Sequence, residues 1–342
     1  MSTLNVSNLA GPSSTGTAAL LASINGGAIA GNRNRLINGG MAIDQRNAGA
    51  SQTFTAGAAL AYSVDRWYAY CTGANVTGQR VQGASAGLFR YQFTGAASVT
   101  AIGFGQRIEQ LNSADLAGTT ATLSVDLSNS LLTTVTWTAF YANTADTFGT
   151  LASPTRTQIA TGTFTVTSTV TRYNTSISIP AAATTGIEIV FTVGAQTSGT
   201  WTIGNVQLEA GTVATPFERR GHGQELLLCQ RYYEKSFSAD VAPAVINTAG
   251  RSGNWIGPTY GDAGGVHACS VRLSTAKRAA PTVATYSNAA SGQVQVYAGP
   301  FAGGAAATVV DSGTGGFVVN SSSYAVNVMA ASFFQWTASA EL

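Results

Sequence analysis

ATLSVDLSNSLLTTVTWTAFYA, residues 121–142, is the stretch whose reading decides the fold class. Its two halves, ATLSVDLS (Ala121–Ser128) and TTVTWTAFYA (Thr133–Ala142), alternate apolar with small polar residues. A period of two puts one set of side chains on a core face and the other on a wet face, the pattern of a half-buried β-strand. Working outward, TGTFTVTSTVTRYNTSISI (Thr161–Ile179) supplies two more strands, and GIEIVFTVG (Gly186–Gly194) with TWTIGNVQLEAG (Thr200–Gly211) a further pair. Strands every ~8 to 12 residues, broken by Gly, Asn, Asp and Ala clusters with no sustained 3.6 period, predict an antiparallel sandwich or barrel over residues 32–220 rather than a parallel α/β sheet.

Composition narrows the function classes. Only 9% of the 342 residues are charged and 45% are hydrophobic, which excludes a disordered chain. With 17 Lys+Arg against 15 Asp+Glu the net charge is +2, so nucleic acid is not an expected partner. Two histidines, His222 and His267, leave little for histidine catalysis. Cys71, Cys229 and Cys269 are too few and too scattered for a zinc site or disulfide framework, and are expected as buried thiols. No cofactor loop, metal motif or nucleophile elbow appears, so no cofactor is expected.

Residues 1–31 carry no charged side chain and are rich in Gly, Ala and Ser, with apolar residues such as Leu20, Leu21, Ile24 and Ile29 among them. The segment lacks a basic n-region and an unbroken apolar run, so neither a signal peptide nor membrane insertion is expected. It reads as an extended anchoring arm. GQELLLCQRYYEK (Gly223–Lys235) is the best helix candidate, with Leu228 and Tyr232 four apart and Leu226, Cys229 and Tyr233 on one side. Pro216 before it suggests a boundary near residue 221. Residues 221–342 then read as a second β-sandwich-like domain led by that short helix, with strands in VHACSVRLS, PTVATYS, GQVQVYAG, ATVVDSG, GGFVVNSSSYAVNVMA and SFFQWTASAEL. From Ala279 to Leu342 only Asp311 and Glu341 are charged, which predicts burial against other copies. The expected trimer contact is the stripe Leu226, Leu228, Tyr232 and Tyr233.

Three stretches together resemble a bacteriophage tail fibre-type virion protein with a carbohydrate-binding-module-like jelly roll. NRLINGGMAIDQRN (Asn34–Asn47) with SVDRWYAY (Ser63–Tyr70) is similar to the opening of that module, and TWTIGNVQLEAGTVATPFERR (Thr200–Arg220) to its closing strand. ELLLCQRYYEKS (Glu225–Ser236), KRAAPTVATYS (Lys277–Ser287) and ASAEL (Ala338–Leu342) are similar to the C-terminal β domain of such proteins. Two aromatic positions of the family pattern are Met41 and Asp44 here. The resemblance implies a homotrimeric virion protein, made in the host cytoplasm, attached to other virion proteins through residues 1–31 and contributing to host-surface glycan recognition. A head fibre or capsid decoration protein is the alternative, and a polysaccharide depolymerase the third reading.

The residues themselves give these motifs structural duties. Ile203, Val206 and Leu208 are expected to point inward, Gly204 and Asn205 to form a bulge, Phe217 to plug the sandwich, and Glu218 to pair with Arg219 or Arg220. Hydrolysis of a glycan requires two facing carboxylates, for which Asp44, Asp65, Glu109, Asp115 and Asp126 are candidates; the expectation is no enzyme. Glycan binding asks instead for aromatic faces among polar groups. Tyr68, Tyr70 and Tyr141 are candidates in the first domain, and Trp255, Tyr260, Tyr297 and Phe301 in the second, with YAGPFAGG (Tyr297–Gly304) as the expected tip.

Overall fold

The computed structural model describes residues 32–85, 87–239, 241–244, 254–260, 267–287, 290–298, 301–321 and 329–342, together with a two-strand hairpin, β1 (Ser23–Ile24) and β2 (Gly27–Ala28). The remainder of the expected arm lies outside the described residues. The first large unit contains β3 (Gln52–Phe54), β4 (Ala61–Tyr62), β5 (Tyr68–Thr72), β6 (Val76–Gln82), β7 (Phe89–Thr94), β8 (Ala101–Ile108), β9 (Thr120–Asn129), β10 (Thr134–Ala142), β11 (Arg156–Thr165), β12 (Thr171–Ser178), β13 (Ile187–Val193) and β14 (Thr200–Ala210). They form two six-stranded antiparallel sheets, β11-β10-β13-β8-β5-β4 and β12-β9-β14-β7-β6-β3. The alternation read in residues 121–142 thus becomes two neighbouring elements in opposite layers of a jelly-roll-like sandwich.

Facing side chains of the two sheets make one core. Trp67 stacks on Phe104 at 4.9 Å and Phe93 on Trp201 at 5.2 Å, and all four are buried. Ile203, Val206 and Leu208 point inward as expected. The bulge also forms: register shifts between Gly204 and Gln207, and Asn205 takes a left-handed φ of 46°. Its position explains the Asn38-Gly39-Gly40 run. The Val206 N–H donates to the Gly39 carbonyl, and a Cβ on Gly39 would lie 2.1 Å from the Val206 oxygen, so only glycine lets the two backbones meet.

The helix α1 (His222–Gln230) begins the rest of the chain and is followed by β15 (Tyr233–Lys235), β16 (Asn254–Tyr260), β17 (His267–Arg272), β18 (Thr282–Tyr286), β19 (Gln293–Ala298), β20 (Phe301–Gly313), β21 (Gly316–Ser321) and β22 (Met329–Ser339). β22 is its hub, pairing antiparallel with β15, β16, β18 and β19. Cys269, Val271, Val294, Phe317, Val319, Phe334 and Trp336 build a second core. All three cysteines are buried, Cys269 on β17.

The sandwich core is continuous, and its largest buried ring is stacked on a neighbour rather than placed at the rim. Trp67→Ala is therefore expected to cost about 3–5 kcal/mol of stability in urea unfolding. A loss below about 1 kcal/mol would place Trp67 outside the core.

Candidate functional site

Two features meet at one end of the sandwich: a buried charged junction with the second unit, and the outward face of the β11-β10-β13-β8-β5-β4 sheet. The junction begins at Arg66, whose φ of 73° turns it away from the regular strand path. Its side chain is 1% exposed; the guanidinium stacks 3.5 Å over the Tyr232 ring, donates to the Arg107 carbonyl at 2.6 Å and pairs with Glu341. Arg46 also pairs with Glu341, at 3.1 Å, and lies 3.7 Å over Tyr233. The Leu342 carbonyl accepts hydrogen bonds from Arg107 at 2.8 Å and the Tyr62 hydroxyl at 2.9 Å. Glu109 accepts from Arg231 at 2.7 and 3.0 Å and from the Tyr232 hydroxyl at 2.9 Å.

Tyr232 and Tyr233 are therefore buried inside one chain. Tyr232 and Cys229 pack on Ile37 and Ile43 of the first unit, with Leu226, Leu228 and Leu342 half-buried against them. The Leu226, Leu228, Tyr232 and Tyr233 stripe, expected at a trimer contact, packs in part on the chain's own sandwich: the two tyrosines are buried, Leu226 and Leu228 half-buried, and Leu227 exposed. Helical period shows that a face is buried, not what buries it.

Register defines the outward sheet face without ambiguity, because residues paired across neighbouring strands share a side. One row runs Tyr70, Gly103, Thr192, Thr136, Thr163; the next Tyr68, Gly105, Val190, Thr138, Thr161; the third Arg107, Glu188, Phe140, Gln158. Glycine at 103 has a reason: a Cβ there would stand 2.2 Å from Tyr70 Cζ, so the Tyr70 ring lies over Gly103. Tyr70 is half-buried, leaving part of the ring open. Tyr68, expected to be exposed, is buried, and its hydroxyl donates to Glu188 at 2.6 Å. Burial raises both tyrosine hydroxyls above their ordinary pKa, so both remain protonated donors at neutral pH. Tyr141 is half-buried against the core.

The face is graded. Next to the junction it carries Glu188, fully buried between Arg107 at 2.8 Å and Arg156. Away from it lies a groove of about 540 Å³ lined by Ala101, Leu132, Thr133, Thr134, Thr136, Thr192, Val193 and Gly194, with no charged lining residue.

The other sequence candidates land elsewhere. Trp255 and Tyr260 fall on β16, Tyr297 on β19 and Phe301 at the start of β20; their side chains lie outside the described residues. In the expected tip Tyr297 pairs with Ala302 and Ala298 with Phe301, so both aromatics stand on paired strands, while residues 299 and 300 lie outside the described residues. The candidate carboxylates have local duties. Asp44 accepts from the Asn47 and Gly49 amides, Asp65 from Gln45, Asp115 from Arg35, and Asp126 from Arg172 and Asn205. Phe217, expected to plug the core, is half-buried and lines a surface cleft instead. Glu218 pairs with Arg220 at 3.8 Å as expected. Among the described residues no group of three or more His, Cys, Asp or Glu could hold a metal, and no helix is long and apolar enough to cross a membrane.

No protein-family model and no curated protein matches the chain. Solved structures similar to it include the enzymatically active domain of bacteriophage CBA120 tailspike protein 4, at 19% identity over 52% of this chain and 21% of that one, with a TM-score of 0.33. A CBM4 module follows at 18% identity, 51% and 97% coverage and a TM-score of 0.33. TmCBM61 in complex with β-1,4-galactotriose shows 13% identity, 52% and 99% coverage and a TM-score of 0.34. The chain spans about a fifth of the tailspike domain.

Burial alone would raise the Glu109 carboxyl, but hydrogen bonds from Arg231 and Tyr232 outweigh it and hold its pKa below the ordinary value. A depressed carboxylate contributes stability that is present above the unfolded pKa and lost as pH falls through the folded one. Glu109→Gln is expected to cost about 1–3 kcal/mol at pH 7, with the gap to the parent closing below about pH 4. Asp65 works with the opposite sign: burial raises its pKa despite nearby Arg46, so its protonation on acidification relieves the fold. Urea unfolding of both proteins from pH 7 to 3 checks this; a gap that stays constant with pH would show that the carboxylate charge is not what binds the two units.

Proposed function

We propose that this chain is a non-enzymatic, fibre-type bacteriophage virion protein that recognises glycan on the outward sheet face around Tyr70. The observation that carries the glycan reading is the Tyr70 ring laid over Gly103, beside a row of threonine hydroxyls and an uncharged groove. A sugar presents apolar C–H patches and a rim of hydroxyls. An aromatic ring meets the first, and Thr136, Thr192 and Thr163 can both donate to and accept from the second.

Binding rather than hydrolysis fits the charge placement. Glu188, the carboxylate on this face, is fully buried and engaged by Arg107, Arg156 and the Tyr68 hydroxyl, so it is not presented to a bound sugar. The virion and fibre parts of the reading rest on the motif resemblance of residues 34–342. In it, residues 1–31 attach the protein to the particle and three copies present the face together. A shallow uncharged groove binds weakly per site, and three sites on one body raise the apparent affinity about 100-fold or more where all can engage.

Tyr70→Ala is expected to lower binding to a responding glycan on an array at least ~10-fold, the loss of about 1.4 kcal/mol of stacking. Thermal unfolding of the same variant should shift by only a few degrees, since the ring lies outside the core. Undiminished binding by the variant would sink the assignment of this face, and a stable monomer in native mass spectrometry would sink the trimer.

A further inference from the structure

We propose a second sugar site, independent of the Tyr70 face, in the cleft between the β6–β7 connection and the start of α1. The cleft has a volume of about 390 Å³ and is walled by Leu88, Phe89 and Phe217. Both phenyl rings are half-buried and held by cations: Arg80 lies 4.5 Å over Phe89, and Arg219 5.4 Å over Phe217. Gly40, Ala42 and Gly87 line the remainder and leave it unfilled. Gly87 has a φ of 76°, where any larger residue would be strained.

At the polar end stand Arg220, Glu225 and His222. Arg220 and Glu225 pair at 3.4 Å with side chains 7% and 12% exposed. Arg220 spends its terminal nitrogens on the Leu36 and Asn34 carbonyls as well, which fixes the ion pair at the cleft wall. The Glu225 carboxylate is the acceptor that a ligand hydroxyl meets in the cleft.

The lining selects the ligand class. Two arginines, Arg219 and Arg220, balance two glutamates, Glu218 and Glu225, so the cleft offers no net charge to an anion or a cation. It offers an aromatic wall, an imidazole and a carboxylate acceptor. A neutral pyranose has the matching set: one apolar face for Phe217 and hydroxyls that both donate and accept. The volume holds roughly one or two such rings, so the site suits a glycan end or short branch, whereas the Tyr70 face is an open sheet surface.

Saturation-transfer NMR on the full chain tests this, with the methyl glycosides of glucose, galactose, mannose and N-acetylglucosamine as probes. At least one should receive transfer. Phe217→Ala, which removes the wall, and Ala42→Trp, which fills the cleft from its half-buried rim, should each abolish that transfer or weaken binding at least about tenfold, while Tyr70→Ala retains it. No transfer from any of the four to the parent protein would overturn the site. So would transfer that survives both Phe217→Ala and Ala42→Trp in folded protein, or transfer lost in Tyr70→Ala and kept in Phe217→Ala, which would assign the sugar to the sheet face.

Discussion

A guanidinium group that is 1% exposed, that of Arg66, cannot be left without a counter-charge, because an unpaired buried ion costs several kcal/mol. Its partner, Glu341, lies 275 residues further along the chain. The second unit must therefore return the end of β22 to the edge of the sandwich. The Tyr232 ring covers the guanidinium and Arg46 shares the carboxylate, so the pair is enclosed by groups that come from both units. Closing the junction and satisfying Arg66 are one event.

That event reaches the outward sheet face through a continuous chain of contacts. The Leu342 carbonyl receives Arg107, which binds Glu188, which also receives the Tyr68 hydroxyl and Arg156. Tyr68 stands one row from Tyr70 on β5. The ring proposed to meet sugar is therefore carried by a strand whose next outward side chain is locked into the junction. Rigidity there has a use, because a platform with a fixed orientation loses less freedom on binding.

The strands were legible in the sequence because their signal is local. Alternation across Ile187–Val193 puts Ile187, Ile189, Phe191 and Val193 in the core, leaving Glu188, Val190 and Thr192 outward. The bulge at Asn205 was legible from Gly-Asn in an otherwise apolar strand. The junction was not, since Arg66 with Glu341 and Glu109 with Arg231 are pairs of residues hundreds or scores of positions apart, and nothing near any one of them names its partner. The packing of Tyr232 on Ile37 and Ile43 was hidden for the same reason. Tyr70 could be singled out as an aromatic residue, but its neighbours Thr192 and Thr136 come from strands 122 and 66 positions away and depend on register. Phe217 was misplaced because Phe after Pro reads as a plug whether it faces a core or a cleft.

A threonine-coated face explains how the chain manages with so few charges. Thr138 and Thr161 hydroxyls bridge neighbouring strands at 3.1 Å, so part of the coat is already ordered before any ligand arrives. β-Branched side chains on a strand have few rotamers to lose, and hydroxyls are far cheaper to desolvate than carboxylates or ammonium groups. A sugar replacing water on such a surface exchanges hydrogen bonds of similar strength, so its net gain comes mainly from the aromatic contact. Affinity per site is then small by construction and nearly insensitive to salt, unlike an ion-paired surface. On the proposed reading, holding strength would come from repeating such a face rather than deepening it, and the contacts from the buried junction through Arg107 and Glu188 fix the orientation of that face.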